Sequence, residues 1–475
     1  MRIKRALRRA MTLPVVMAAA VLGCRTPAWQ QPPPPAAEGP VLEAGALERA
    51  GLDNGMQVLV LEDRRLPRVA LGLVVRRGAG IVVPEQAGLA GFTAELMKRG
   101  AGARDALALA QATDEIGASL SVGSDWDSTS VRVSGLSRDI DRLVEILADV
   151  ALRPRFEQGE AEKTRAERLA ALEKAKDDPA TLAVQKFFAT LYPGHPYGAP
   201  TSGTPESVSA LGAADARAFH RRIFMPNDAI FYAAGAVDLE SLLPKLGEHF
   251  GAWERREVVP EGAPPPERAP EARRIVVVDR PDLGQVRITL GHEGMRRTDP
   301  ERIAGALMNL VLGGGGFSSR LMTTLRAERG LTYSAGTGFA LRRQPGPFYA
   351  STFTKVATLR ETVELTLAEL AKMQREPVTE VELRDAKALL VGRFALGLET
   401  SAAVVGSIVN LEVYRLPEDS LDTYRTRVNA VTTDDTARIA RTRLHPDRAA
   451  IVLVGPAEAI VPQVEDLGPV EVVQP

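Results

Sequence analysis

Short apolar blocks recur along the chain in two matching sets. Gln57-Val58-Leu59-Val60-Leu61 and Val69-Ala70-Leu71-Gly72-Leu73-Val74-Val75 read as strands, as do Arg274-Ile275-Val276-Val277-Val278 and Val286-Arg287-Ile288-Thr289-Leu290. Met225-Pro226-Asn227-Asp228 precedes an apolar run from Ala229 to Ala234 and then Gly235. His445-Pro446-Asp447-Arg448 precedes a like run from Ala449 to Val454 and then Gly455. Pro226 and Pro446 are 220 positions apart, and Val69 and Val286 are 217 apart. Two landmarks near one offset point to an internal duplication. Between them, Val131-Arg132-Val133 is strand-like, while Ile140, Leu143, Ile146, Leu147 and Val150 have helical spacing, as do Val363, Leu367 and Leu370. The pattern predicts an α+β fold with two homologous sheet-plus-helix domains, 45–255 and 273–468, facing each other around a cavity. A Pro-rich, charged linker, 256–272, separates them.

The N-terminal pattern is of another kind. Arg2, Lys4, Arg5, Arg8 and Arg9 precede a short apolar stretch from Thr12 to Leu22, and Val21-Leu22-Gly23-Cys24 follows. This reads as an export signal over 1–23, too short to span a bilayer stably. Small residues before the single cysteine of the chain resemble a bacterial lipoprotein cleavage box, which makes Cys24 the expected lipidation site. Residues 24–44, with four consecutive prolines from Pro32 to Pro35, read as an extended tether. Arg25 after the cysteine suggests the outer membrane, facing the periplasm of a Gram-negative bacterium.

Composition narrows the chemistry. The 475 residues are 45% hydrophobic and 25% charged, which excludes wholesale disorder and a multi-span membrane protein. The 59 basic and 60 acidic residues give no basic excess for nucleic acid. The five histidines, His195, His220, His249, His292 and His445, include no pair four apart, so the helical His-x-x-x-His zinc element is absent. His195 and His292 are expected to be structural. Trp126 and Trp253 are expected to pack, and Asp125, Asp127 and Asp139 to be solvated.

Several motifs, in order, resemble the pitrilysin/insulinase family of zinc metallopeptidases, which includes mitochondrial processing peptidase. They are Leu52-Asp53-Asn54-Gly55-Met56; Gln86-Ala87-Gly88-Leu89-Ala90-Gly91-Phe92; Tyr192-Pro193-Gly194-His195-Pro196-Tyr197-Gly198; the glycine-rich Leu312-Gly313-Gly314-Gly315-Gly316-Phe317-Ser318-Ser319-Arg320-Leu321; and Leu325-Arg326-Ala327-Glu328-Arg329-Gly330-Leu331-Thr332-Tyr333. Active members carry His-x-x-Glu-His, which puts two imidazoles on one helix face to grip Zn²⁺ and a carboxylate beside the metal-bound water. The resemblance places these positions on Gly91, Ala94 and Glu95, and a distal Glu near Ala170 or Ala171. A lone carboxylate is not a zinc site. No catalytic residue and no metal are therefore expected in this chain. The family's Arg–Tyr pair is kept as Arg326 and Tyr333, which the resemblance implies to be substrate-binding together with Gly313, Gly314, Gly315, Gly316 and Phe317. The implied role is the non-catalytic, substrate-binding subunit of a two-chain zinc endopeptidase. A homologous partner would supply the zinc motif, and a lipid anchor would hold the pair at a membrane. The alternative is a peptide-binding or scaffold lipoprotein of the same fold with no part in hydrolysis. Four glycines in a row also suggest a mobile loop.

Overall fold

A computed structural model of the chain describes residues 39–43, 45–258 and 272–475. The export signal, Cys24, nearly all of the tether and most of the linker lie outside the described residues. The first half supplies strands β1 (Leu47–Gly51), β2 (Gln57–Glu62), β3 (Arg68–Val75), β4 (Ser119–Ser124), β5 (Thr129–Leu136) and β6 (Ala229–Gly235). They form one sheet in the order β1-β2-β6-β3-β5-β4. The second half supplies β7 (Arg274–Asp279), β8 (Gln285–Glu293), β9 (Ala335–Phe339), β10 (Pro347–Lys355), β11 (Ala450–Gly455) and β12 (Val470–Val473), in the order β9-β10-β8-β11-β7-β12. Read from opposite ends, the two orders match at five of six places; at the sixth, β1 pairs antiparallel with β2 whereas β12 pairs parallel with β7. The duplication predicted from strand spacing is therefore a duplication of fold.

The helices that matter here are α1 (Leu89–Met97), α2 (Ile140–Leu152), α3 (Gln158–Ala175), α4 (Pro179–Leu191), α5 (Arg302–Asn309), α6 (Glu380–Leu396) and α7 (Ser401–Tyr414). The central strands β6 and β11 are buried along their whole length because both faces of each sheet are covered. A strand turns alternate residues to opposite faces. Thus Val58 and Val60 of β2 join a core with Leu143, Val144 and Leu147 of α2, while Leu59 and Leu61 pack with Val404, Val405, Ile408 and Val409 of α7. In the second sheet Val276 and Val278 of β7 pack with Ala183, Phe187 and Leu191 of α4.

These contacts cross the halves. Helix α4 belongs to the first half and covers the second sheet; α7 belongs to the second half and covers the first. The two halves are thus joined through exchanged helices. The hairpin between β9 and β10 adds a latch. Arg342 places its guanidinium 4.1 Å from the ring centre of Trp126, 4.6 Å from Tyr197 and 4.8 Å from Phe188, all in the first half. Arg343 N donates to Asp127 Oδ2 at 3.0 Å, and Tyr414 Oη donates to the same oxygen at 2.9 Å. Asp127 was expected to be solvated; it is only 5% exposed, because this cross-half network replaces its water. Burial pushes its carboxyl above the usual range. Asp125 is exposed and accepts from the backbone N–H of Asp127 and Ser128 in a tight turn. Trp126 packs as expected, and Trp253 rests near Phe250.

Candidate functional site

Helix α1 begins after Gly88, whose φ of +90° lets the chain turn into it. Leu89, Ala90, Phe92, Thr93, Ala94, Leu96 and Met97 are buried. The half-buried Gly91 and Glu95, one turn apart, share the face turned toward α3. Arg168 of α3 lies there. Its Nε donates to Glu95 Oε2 at 2.9 Å and its Nη2 to Glu95 Oε1 at 3.2 Å. Nη1 reaches the carbonyls of Ser202 at 3.3 Å and Gly88 at 3.4 Å. A Cβ on Gly91 would come within 2.6 Å of Arg168 Nη2.

The residues that the resemblance assigns to the zinc motif thus do not fit a zinc ion. Glu95 is the one metal-ligating side chain among them, and a guanidinium already holds its carboxylate. Ala94 is buried, and Ala170 and Ala171 are exposed methyl groups on α3. Among the described residues no group of three or more His, Cys, Asp or Glu could hold a metal. Arg168 gave no signal in the sequence, because its partner is 73 positions away and no local pattern links them.

The second cluster forms where α5 ends. The chain runs on from α5 into a π-helical turn over Leu310–Gly314. Gly313 lies against β9, where a Cβ would sit 2.6 Å from Thr337 Oγ1 and 2.8 Å from Thr337 N. At Gly314 a Cβ would meet Asn309 Nδ2 at 2.5 Å, and at Gly315 the Leu310 carbonyl at 2.5 Å. Three of the four glycines therefore serve close packing, in place of the looseness their run suggested. Gly316 takes φ +76° and has open space around it.

This turn delivers Phe317 to the surface, 73% exposed. A second π-helical turn, Thr323–Glu328, carries Arg326, and the following loop brings back Tyr333, also 73% exposed. The Arg326 guanidinium lies 4.6 Å from the Phe317 ring centre and 4.8 Å from that of Tyr333. Arg326 makes no side-chain hydrogen bond or ion pair to the described residues. Its N–H groups are held in place by two rings and left for an outside acceptor, such as a peptide carbonyl or carboxylate. The predicted Arg326, Tyr333, Phe317 and Gly316 come together. Among the described residues, no hydrogen bond, ion pair or ring contact joins this cluster to Gly91, Ala94 or Glu95.

The histidines are structural where they are buried. His195 Nδ1 accepts from Tyr197 N at 3.0 Å. His292 pairs with the Glu293 carbonyl through Nδ1 and accepts from His445 N through Nε2 at 3.0 Å. Burial pushes both His292 and His220 down to about 4.

Comparison with known proteins agrees with this architecture. Residues 57–205 match the profile of the insulinase family, peptidase family M16, and residues 210–390 match that of the peptidase M16 inactive domain. An uncharacterized zinc protease of Mycobacterium tuberculosis is 29% identical over 411 residues, covering 86% of this chain and 93% of its own. The Bacillus subtilis uncharacterized zinc protease YmxG is 23% identical over 415 residues, with 86% and 98% coverage. The crystal structure of a peptidase M16 inactive domain from Pseudomonas fluorescens superposes with a TM-score of 0.80 at 26% identity, covering 86% of this chain and 98% of that one. A protease from Helicobacter pylori shares the fold, with a TM-score of 0.77 at 20% identity and 86% and 99% coverage. Two matched domains, the duplicated sheets and a structural likeness over 86% of the chain show that this chain belongs to the insulinase (M16) peptidase family.

Proposed function

We propose that this chain is the non-catalytic, substrate-binding subunit of a two-chain zinc endopeptidase. A homologous partner with an intact His-x-x-Glu-His motif supplies the zinc and the proton transfer. This chain supplies Arg326 and Tyr333 to the partner's site. The observation that carries the reading is the arrangement of Arg326: half-buried, fixed against two exposed aromatic rings, and without an acceptor among the described residues. Such a group costs little reorganisation when it meets a peptide carbonyl or a developing oxyanion. The lack of a zinc ligand set among the described residues supports placing the metal in the partner.

Strand β4 supports the peptide-binding part. It is an edge strand with alternating exposure over Ser119-Leu120-Ser121-Val122-Gly123-Ser124, and an extended peptide can add to such an edge. Cys24, as the lipidated first residue of the exported chain, holds the pair at the outer membrane on the periplasmic side.

The test is reconstitution. The chain without its export signal cleaves no unstructured peptide by itself, and mixing it with the partner gives zinc-dependent cleavage. Arg326→Ala in the mixture lowers turnover about 100-fold while the two chains still associate. Unchanged turnover assigns the chain a scaffold role only.

A further inference from the structure

The direction of Arg326 rests on an uncommon piece of helix. An α-helical turn, Arg320–Met322, runs into the π-helical turn Thr323–Glu328. A π-helical turn takes up one residue more than an α-helical one. In an α-helical register the side chains past that extra residue would stand about 100° further round the axis. Arg326 lies inside the turn, so its place against Phe317 and Tyr333 depends on the π register being kept.

Side chains from two other helices hold this piece. At its head Arg320 donates to the Glu382 carboxylate of α6, Nε to Oε1 and Nη2 to Oε2, each at 2.7 Å. Inside the π-helical turn, the one side-chain hydrogen bond among the described residues runs from Thr324 Oγ1 to Glu369 Oε1 at 3.0 Å. Thr324 stands two positions before Arg326. Glu369 comes from the helix Leu359–Arg375 and is only 7% exposed. One turn before it, Leu365 packs against the small core of Leu321, Met322, Leu325 and Ala335.

Stability alone does not account for an acid at this place. Glu369 Oε2 is buried and has no hydrogen-bond partner among the described residues. A buried carboxylate oxygen left unpaired is destabilising, and a leucine beside that apolar core would carry no such cost. What the carboxylate does and leucine cannot is accept the Thr324 hydroxyl.

We propose that Glu369 is a positioning residue for Arg326: it holds Thr324, and with it the π register that sets the guanidinium against Phe317 and Tyr333. Glu369 itself touches no substrate. Its part in cleavage rests on the reading of Arg326 given above, whereas its hold on the turn belongs to this chain alone.

Nuclear magnetic resonance on arginine-labelled protein reads that hold directly. Arg326→Lys identifies the Arg326 Nε–H signal, and a Phe317→Ala, Tyr333→Ala double variant gives its position free of ring-current shift. In Glu369→Leu and in Thr324→Val the signal is expected to move most of the way to that ring-free position. Glu369→Gln, whose amide carbonyl still accepts from Thr324, is expected to keep the shift. In the reconstituted pair Glu369→Leu is expected to lower turnover at least about 10-fold, with little further loss when Arg326→Ala is added, since both remove one contact. A ring shift unchanged in folded Glu369→Leu or Thr324→Val, or lost in Glu369→Gln as fully as in Glu369→Leu, would overturn the proposal. The expected shifts together with turnover indifferent to Arg326→Ala would leave Glu369 as the holder of the turn and overturn the partner reading instead.

Discussion

Arg168 donates two hydrogen bonds to the Glu95 carboxylate across α1 and α3, and its Nη2 occupies the space a side chain at position 91 would need. A fixed positive charge therefore stands beside the helix face that carries the zinc-motif positions. Restoring the motif by Gly91→His, Ala94→Glu and Glu95→His, with a carboxylate at Ala170 or Ala171, should not restore tight zinc binding while Arg168 stays. Adding Arg168→Ala should tighten zinc affinity at least about 10-fold, since the guanidinium repels the cation and crowds the imidazole. Competition against a chelating dye measures it. Equal affinities with and without Arg168 would show that its charge is irrelevant.

The rings beside Arg326 have distinguishable roles. Phe317→Ala leaves the charge but removes one wall, so in the reconstituted pair it should weaken peptide binding with a smaller effect on turnover. Tyr333→Phe keeps the ring and removes the hydroxyl. If that hydroxyl donates to the developing oxyanion, turnover should fall about 100-fold with KM little changed. The reverse split would exchange these roles.

The cross-half latch should carry stability. Arg342→Ala removes a guanidinium buried against three rings, and the loss should be about 2 kcal/mol. Urea unfolding followed by near-UV circular dichroism measures it. Because Arg342 joins the halves, the variant's unfolding should also broaden or separate into two steps. A sharp transition at the unchanged midpoint would place the coupling in α4 and α7 alone.

Acid should weaken the fold through its buried histidines. His220 and His292 are held neutral, each pushed from 6.5 down to about 4. Between these values the unfolded chain binds protons that the folded chain does not. Their stabilising contribution is full above pH 6.5 and is lost as pH falls toward 4. Urea midpoints should therefore drop between pH 7 and pH 5. His220→Gln, which can still donate to the Ala151 carbonyl that His220 Nε2 meets at 2.8 Å, should flatten part of that slope. An unaltered slope would assign the acid sensitivity elsewhere.

Cys24 lies outside the described residues, and its proposed role is tested in the cell. Cys24→Ser should release the exported protein from the membrane fraction on fractionation. Retention would point to a different anchor.

The strands and the duplication are legible in the chain, and the family resemblance assigns the zinc-ligand positions to residues that cannot serve. Each is a local matter: strand alternation is written in runs such as Val58 to Leu61, and a missing imidazole at Gly91 needs no coordinates to be seen. The family resemblance also grouped Arg326, Tyr333 and Phe317 as one substrate-binding set, and the structure brings their side chains together. What stands beside Glu95 was set by the packing of two helices, because Arg168 reaches it from another helix. Only the structure turned Asp127 from a solvated acid into the centre of a cross-half network, since Arg343 and Tyr414 come from the other half. The exchange of α4 and α7 between the sheets was likewise out of reach. An apolar helix face states that it will be buried, but the surface that buries it is chosen by the fold as a whole.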